Sequence, residues 1–256
     1  MKKTPFRLLI DAYDTTFSVH IAETIEEVDT CLALRTRYFK SAHSLAIGRD
    51  EDQYDRYCCH LMVTDCSTKE VVGTYRLMRN EVAEQHVGYY CETKFDLSHI
   101  KSHNFKLVEL GRLCTSEEYR HKNILGMLWN GIYAYLDFYN IDYLSGSVSV
   151  PADQPDLTSK IYAYAKYKNR LVDPKFSVTP LPVAIDEDFN PNYVLEDINK
   201  TKKELPKLVL AYLVLNTKIC GPSCHDRILN LKDFYILSGI KDRDKNRRIN
   251  RFKMKT

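Results

Sequence analysis

The chain has no apolar run long enough to cross a bilayer, which takes about 20 consecutive apolar residues as a helix, so no membrane-spanning segment is expected. Its opening stretch, MKKTPFRLLIDAYDTTF, begins basic, but the apolar core is short and interrupted by Asp11 and Asp14. It does not read as a secretion signal. No internal repeat and no low-complexity block precede residue 241. Paired metal-binding cysteines are also missing. Cys58 and Cys59 are adjacent, and Cys220 and Cys224 in CGPSCH, beside His225, lack both the C-x-x-C spacing and a second pair. No zinc site is expected. Eight cysteines without a secretion signal imply reduced thiols and a cytoplasmic setting. The net charge is only +3 over 256 residues, which excludes a strongly basic nucleic-acid binder. The basic excess is local: Lys241, Arg243, Lys245, Arg247, Arg248, Arg251, Lys253 and Lys255 stand against Asp242 and Asp244.

The patterns that are present alternate between strand and helix. FSVHIA alternates like a strand, and TIEEVDTCLALRTRYF repeats at helical spacing behind a Thr24 cap with Glu27 three residues on. HLMVTD and EVVGTYRLM flank the polar turn CSTK as a hairpin. Lys106 to Cys114 is a further strand. Asn123 to Tyr139 is an amphipathic helix with Leu125, Leu128, Ile132, Tyr135, Leu136 and Tyr139 on one side. IDYLSGSVSV reads as a strand, DLTSKIYAYAKYKNR as a helix, Phe176 to Val183 as a strand, and Leu205 to Leu215 as an apolar segment. Phe234 to Leu237 is the final strand. The order gives an α/β fold, with a central mixed sheet carrying helices on both faces. A single domain is expected over 1–240, with a C-terminal extension from about 185 and a basic tail over 241–256.

One strand poses a chemical question. VELGRLC places Glu109 and Arg112 in an otherwise apolar run. Burying two charges is costly unless they meet each other or a ligand. A plain structural ion pair answers the question, and so does an active site.

Several stretches together resemble the GNAT acyltransferase superfamily, and within it the bacterial ornithine N-acyltransferases that take a fatty acyl group from acyl carrier protein. Acyl-homoserine-lactone synthases are more distantly similar. LRTRYF supplies Arg35 and Phe39. DEDQYD supplies Asp52 and Asp55, GTYRLM supplies Arg76, and VELGRLC supplies Glu109 and Arg112. EYRHKNILGMLWNGIYAYL and the late stretch LPKLVLAYLVLNTKICGPSCHDRILNLKDFYIL resemble the ornithine enzymes in particular. The resemblance departs at one turn. Coenzyme A-using relatives carry R/Q-x-x-G-x-G/A before the long helix, where this chain has Arg120, His121, Lys122, Asn123, Ile124 and Leu125. Both small positions hold larger residues. Backbone N–H groups at a helix start still meet one phosphate, so the departure favours phosphopantetheine on a carrier protein over the pyrophosphate of coenzyme A.

The resemblance implies an N-acyltransferase that loads the α-amine of an amino acid, L-ornithine first among candidates. Glu109 is the expected general base, since burial raises a carboxyl pKa toward the useful range. Arg112 lies three residues on, so a regular strand would point it to the opposite face. A bulge between them would alter that and aim a backbone N–H at the acyl carbonyl. Arg112 would then orient Glu109 or bind the acceptor's carboxylate. Arg35, Phe39, Asp52, Asp55 and Arg76 are expected around the acceptor, and Cys114, Arg120, Lys122 and Asn123 along the acyl-phosphopantetheine. Lys122, Lys166, Lys168 and Arg170 could dock an acidic carrier protein, and Tyr162, Tyr164 and Tyr167 could protonate the leaving thiolate. No metal or resident cofactor is expected. The acyl carrier protein is the expected partner, and the basic tail a candidate peripheral membrane contact. The alternatives are autoinducer synthesis resembling the acyl-homoserine-lactone enzymes, which the late extension disfavours, and a non-catalytic module binding carrier protein or membrane, which would need no buried carboxylate.

Overall fold

The computed structural model describes residues 6–43, 48–214 and 216–240, so the basic tail lies outside the described residues. The described chain groups into two compact units, one built from residues up to Val87 with Val108–Ile141, the other from Gly88–Leu107 with Asp142–Ile240.

The first unit contains β1 (Arg7–Ala12), β2 (Thr15–Ile21), α1 (Ile25–His43), β3 (Cys59–Asp65), β4 (Val71–Arg79), β5 (Leu107–Thr115) and α2 (Ile124–Tyr139). Its strands lie in the order β1-β2-β3-β4-β5, each antiparallel to the next. The register fixes which side chains share a face, because neighbours along a strand point oppositely. His60 opposes Arg76, and Leu61 opposes Tyr75. On the first of these faces α1 packs Cys31 and Leu34 with Met62 and Cys114. On the other lies α2. It approaches so closely that a Cβ at Gly131 would stand 2.7 Å from Leu61 Cδ1 and 2.8 Å from Val19 Cγ1. Helices on both faces of a mostly antiparallel sheet match the expected fold.

Two details of this unit differ from the sequence reading. Arg7–Ala12 is a strand that the reading did not identify. It is an edge strand of alternating exposure, joined to β2 by Tyr13 and Asp14, both at positive φ (54° and 58°). That is a turn which matches strand twist without the usual glycine. On α2 the apolar line is buried from Leu128 to Leu136, but Leu125 is 39% exposed. The buried line starts at Ile124 instead, and Tyr139 sits beneath the Arg79 guanidinium, 3.9 Å from its ring centre.

The second unit contains β6 (Tyr143–Pro151), α3 (Leu157–Tyr167), α4 (Ile198–Glu204), α5 (Lys207–Val214), β7 (Lys218–Ile219), β8 (Cys224–Asp226) and β9 (Leu231–Gly239). β9 is central, antiparallel to β6 over its whole length and also to β8 and β7. Its core joins Val148, Val150, Phe234 and Ile236 to Ile161 of α3 and Val209 and Leu213 of α5. The strand expected over Phe176 to Val183 reduces to Thr179–Pro180, paired with Phe95–Asp96 between two 3₁₀ turns. Pro180 and Pro182 cannot donate to a ladder, so the strand cannot extend. The final strand is longer than Phe234 to Leu237, because its charged start is neutralised in place. Lys232, fully buried, holds Asp186 and Asp188 at 2.8 Å each, and Lys94 holds Asp233 at 2.6 Å and Asp226 at 2.8 Å.

Candidate active site

The acidic run and three arginines meet on the α1 face of the first unit. Arg35 is 1% exposed and grips Asp55 with both terminal nitrogens, at 2.7 and 3.1 Å. Its Nε donates to Asp50 Oδ2 at 2.6 Å. Arg76 Nη1 donates to Asp52 Oδ1 at 2.7 Å and Asp55 Oδ1 at 3.1 Å. Arg112 Nη2 donates to Asp52 Oδ2 at 3.1 Å, and its Nε lies 3.5 Å from Asp50 Oδ1. The result is a lattice of three guanidinium groups and three carboxylates. It ties α1, the 50–55 loop, β4 and β5 together, and each pair supplies the partner that a buried charge requires.

The local chain accounts for this convergence. The Asp52 N–H donates to Asp55 Oδ2 at 2.8 Å, and the Tyr54 N–H to Asp52 Oδ1 at 2.9 Å, so the aspartates shape their own turn. The loop is also pinned to α1, where Asp50 N–H donates to Thr36 Oγ1 at 2.8 Å. Underneath, buried His60 bonds the Asp55 carbonyl through Nε2 at 3.0 Å. Burial pushes the His60 pKa down. Burial alone would raise the Asp55 pKa, but the hydrogen bonds of Arg35 and the charges of Arg76 and Arg35 hold it far below the usual carboxylate range.

Arg112 reaches this lattice through a bulge. Thr74 opposes Cys114 and Arg76 opposes Gly111, so Arg112 and Leu113 together face Tyr75. Arg112 adopts φ +56°, the left-handed region that non-glycine residues rarely enter. On a regular strand it would share the Tyr75 face. The bulge turns it to the Arg76 face instead. A bulge is present, but at Arg112 and Leu113 rather than between Glu109 and Arg112, where the register is regular.

Glu109 is 5% exposed and opposes Met78, placing it on the same sheet face as Arg76 and one diagonal step from it. The same parity brings Cys58 onto this face, opposite the alternate Cys59–Leu77 pair. Burial drives its thiol pKa far up despite the charge of Arg76. Sequence reading missed Asp50 and Cys58. The only signal for Asp50 was the acidic run around it, and no signal singled out Cys58.

The remaining expected positions are distributed as follows. Phe39 is half-buried against the small core of Cys31, Leu34, Met62 and Cys114. Cys114 is buried, its thiol donating to the Leu34 carbonyl at 3.7 Å, and burial pushes its pKa up to about 12. Arg120 is exposed and pairs with Glu117 at 2.5 Å, while Lys122 stands 4.9 Å from the Tyr119 ring centre. Asn123 takes the left-handed conformation that glycine would supply, at φ 48°, and opens α2. Its carboxamide leans over Gly126, where a Cβ would meet Oδ1 at 2.7 Å. In the second unit Tyr164 is a core residue, and Tyr162 packs edge-on to Phe189. Arg170 is committed to the Leu213 carbonyl at 2.9 Å, which leaves Lys166 and Lys168 as the cations of that group facing solvent. Among the described residues no group of three or more His, Cys, Asp or Glu is arranged to hold a metal, and no helix is long and apolar enough to cross a membrane.

The acetyltransferase (GNAT) domain family matches residues 34–130. The chain is 30% identical over 239 residues to the L-ornithine N(alpha)-acyltransferase of Brucella abortus (strain 2308), covering 87% of this chain and 84% of that protein. It is 28% identical over 237 residues to the protein of the same name from Agrobacterium fabrum, covering 87% and 80%. In fold it is similar to FeeM, an N-acyl amino acid synthase from uncultured soil microbes. That likeness has a TM-score of 0.53 and 12% identity, over 88% of this chain and 92% of that one. It is similar also to BjaI, a coenzyme A-dependent acyl-homoserine lactone synthase, with a TM-score of 0.50 and 11% identity over 91% and 85%.

Proposed function

Because the chain belongs to the L-ornithine N(alpha)-acyltransferase family and is an acyltransferase, we propose that it moves a fatty acyl group from acyl carrier protein to the α-amine of L-ornithine. The observation that carries this reading is the buried Glu109 on the sheet face that also presents the arginine–aspartate lattice. Glu109 takes a proton from the acceptor's ammonium, directly or through one water. The freed amine attacks the thioester carbonyl, an N–H of the Arg112–Leu113 bulge steadies the oxyanion, and the C–S bond breaks as the C–N bond is completed. As the C–S bond breaks, the nitrogen gives up its remaining extra proton and the departing thiolate takes it up, leaving the amide and a free thiol.

The acceptor is assigned to the open edge of the lattice. Asp55 is saturated by Arg35 and Arg76 and shapes the site from beneath. The side chains of Asp52 and Arg112 retain 24% and 22% exposure, so Asp52 faces the acceptor's distal ammonium and Arg112 its carboxylate. Lattice charges cancel, and Glu109 adds one negative charge, which suits a cationic acceptor. Carrier protein is favoured as donor by Asn123, whose side chain closes over Gly126 where a pyrophosphate turn would be open. Docking of that acidic partner falls to Arg120 and Lys122 beside the start of α2. We assign the protein a cytoplasmic setting with peripheral membrane contact, to which the basic tail contributes. The test is mass spectrometry of lipids from a host lacking aminolipids. New N-acyl ornithine species are expected with the protein present, and an unchanged extract despite folded protein would refute the assignment.

A further inference from the structure

Helices buried on one side ordinarily carry polar residues on the other. α5 does not. Val209 and Leu213 enter the core, while Leu208 and Val214 stand 43% and 66% exposed on the outside, with Ala211 between them at three-residue spacing. Lysines precede the exposed stripe along the chain. Lys200, Lys202 and Lys203 of α4 and Lys207 at the start of α5 all face solvent. The two helices meet at Leu205 and Pro206, and Leu205 is buried, which fixes the corner against the same core.

An apolar strip with exposed lysines at its start and on the preceding helix fits one class of partner best, a bilayer surface with hydrocarbon beneath anionic headgroups. A soluble protein partner would match the charge but gives no reason for side chains that protrude singly from a short helix. We infer that α4 and α5 form a membrane-resting surface, with Leu208 and Val214 entering the acyl boundary and the four lysines on anionic headgroups. The inference deepens the proposed function, on which it rests for the need to deliver an amphiphilic product to lipid.

The experiment is co-sedimentation of the full chain with vesicles of neutral phospholipid, alone or with about a third anionic phospholipid. Turnover on soluble substrates is measured in parallel, so that failure of the proposed reaction is seen separately from failure of this surface. The full chain is expected to bind the anionic vesicles selectively. The double variant Leu208→Asp with Val214→Asp should weaken binding by on the order of a hundredfold, about tenfold for each apolar side chain withdrawn. Lys202→Glu with Lys203→Glu should weaken it at least about thirtyfold, given roughly 1 kcal/mol for each surface cation. Both sites are exposed, so folding and soluble turnover should persist. A third variant neutralises Arg247, Arg248, Arg251 and Lys253 to Gln and should keep the dependence on Leu208 and Val214. The inference is overturned if the helix variants sediment like the parent, if only the tail variant loses binding, or if neutral vesicles bind equally well. It is also overturned if the helix variants raise KM for the carrier-protein donor while vesicle binding is unchanged.

Discussion

Asp55→Asn changes one oxygen to nitrogen at the centre of the lattice. Asp55 accepts from Arg35 at 2.7 and 3.1 Å, from Arg76 at 3.1 Å and from the Asp52 N–H at 2.8 Å. Both arginines are buried and keep one carboxylate each, Asp50 and Asp52, so the substitution strips half of their neutralisation without opening a cavity. Removing one partner of a buried ion pair costs about 3–5 kcal/mol, and that is the loss expected in urea unfolding at neutral pH. The pH dependence supplies a sharper test. The folded-state pKa of Asp55 is depressed, so its contribution is fully present above the unfolded value of about 3.9 and is lost as pH falls toward the folded one. The stability curves of parent and variant should therefore separate above pH 4 and converge below it. A loss under about 1 kcal/mol, or a gap that stays constant through the acid limb, would refute the reasoning and make the lattice a surface feature.

Three further outcomes are expected. Glu109→Gln should lower turnover on the order of 10²-fold or more while the protein stays folded, as loss of a general base does; near-normal turnover would return Glu109 to a structural role. Specificity constants should favour acyl carrier protein thioesters over coenzyme A thioesters, and the opposite order would remove the argument from Asn123. Gly131→Ala forces a methyl into Leu61 and Val19, so it should cost about 1–3 kcal/mol of stability. An unchanged unfolding midpoint would show that α2 can lift from the sheet without penalty.

The sequence by itself determined the long elements and the residue types of the site. Apolar periodicity is a local property, so α1, the β3–β4 hairpin, β5 and α2 were readable, as were the motifs holding Arg35, Asp52, Asp55, Arg76, Glu109 and Arg112. Short or edge elements were not: Arg7–Ala12 has only half-buried alternation, and Thr179–Pro180 is set by its partner Phe95–Asp96. Tertiary structure alone decided which charges meet. Asp50 joins Arg35 across fifteen residues and lies near Arg112 across sixty-two, pairings that no local pattern encodes. It also decided where Arg112 points, because a single left-handed residue moves its side chain from one sheet face to the other. The same holds for Lys94 and Lys232, whose charges meet aspartates distant in sequence only in the folded chain. A buried charge is tolerated only where its partner arrives, and that arrival depends on how the chain closes in three dimensions.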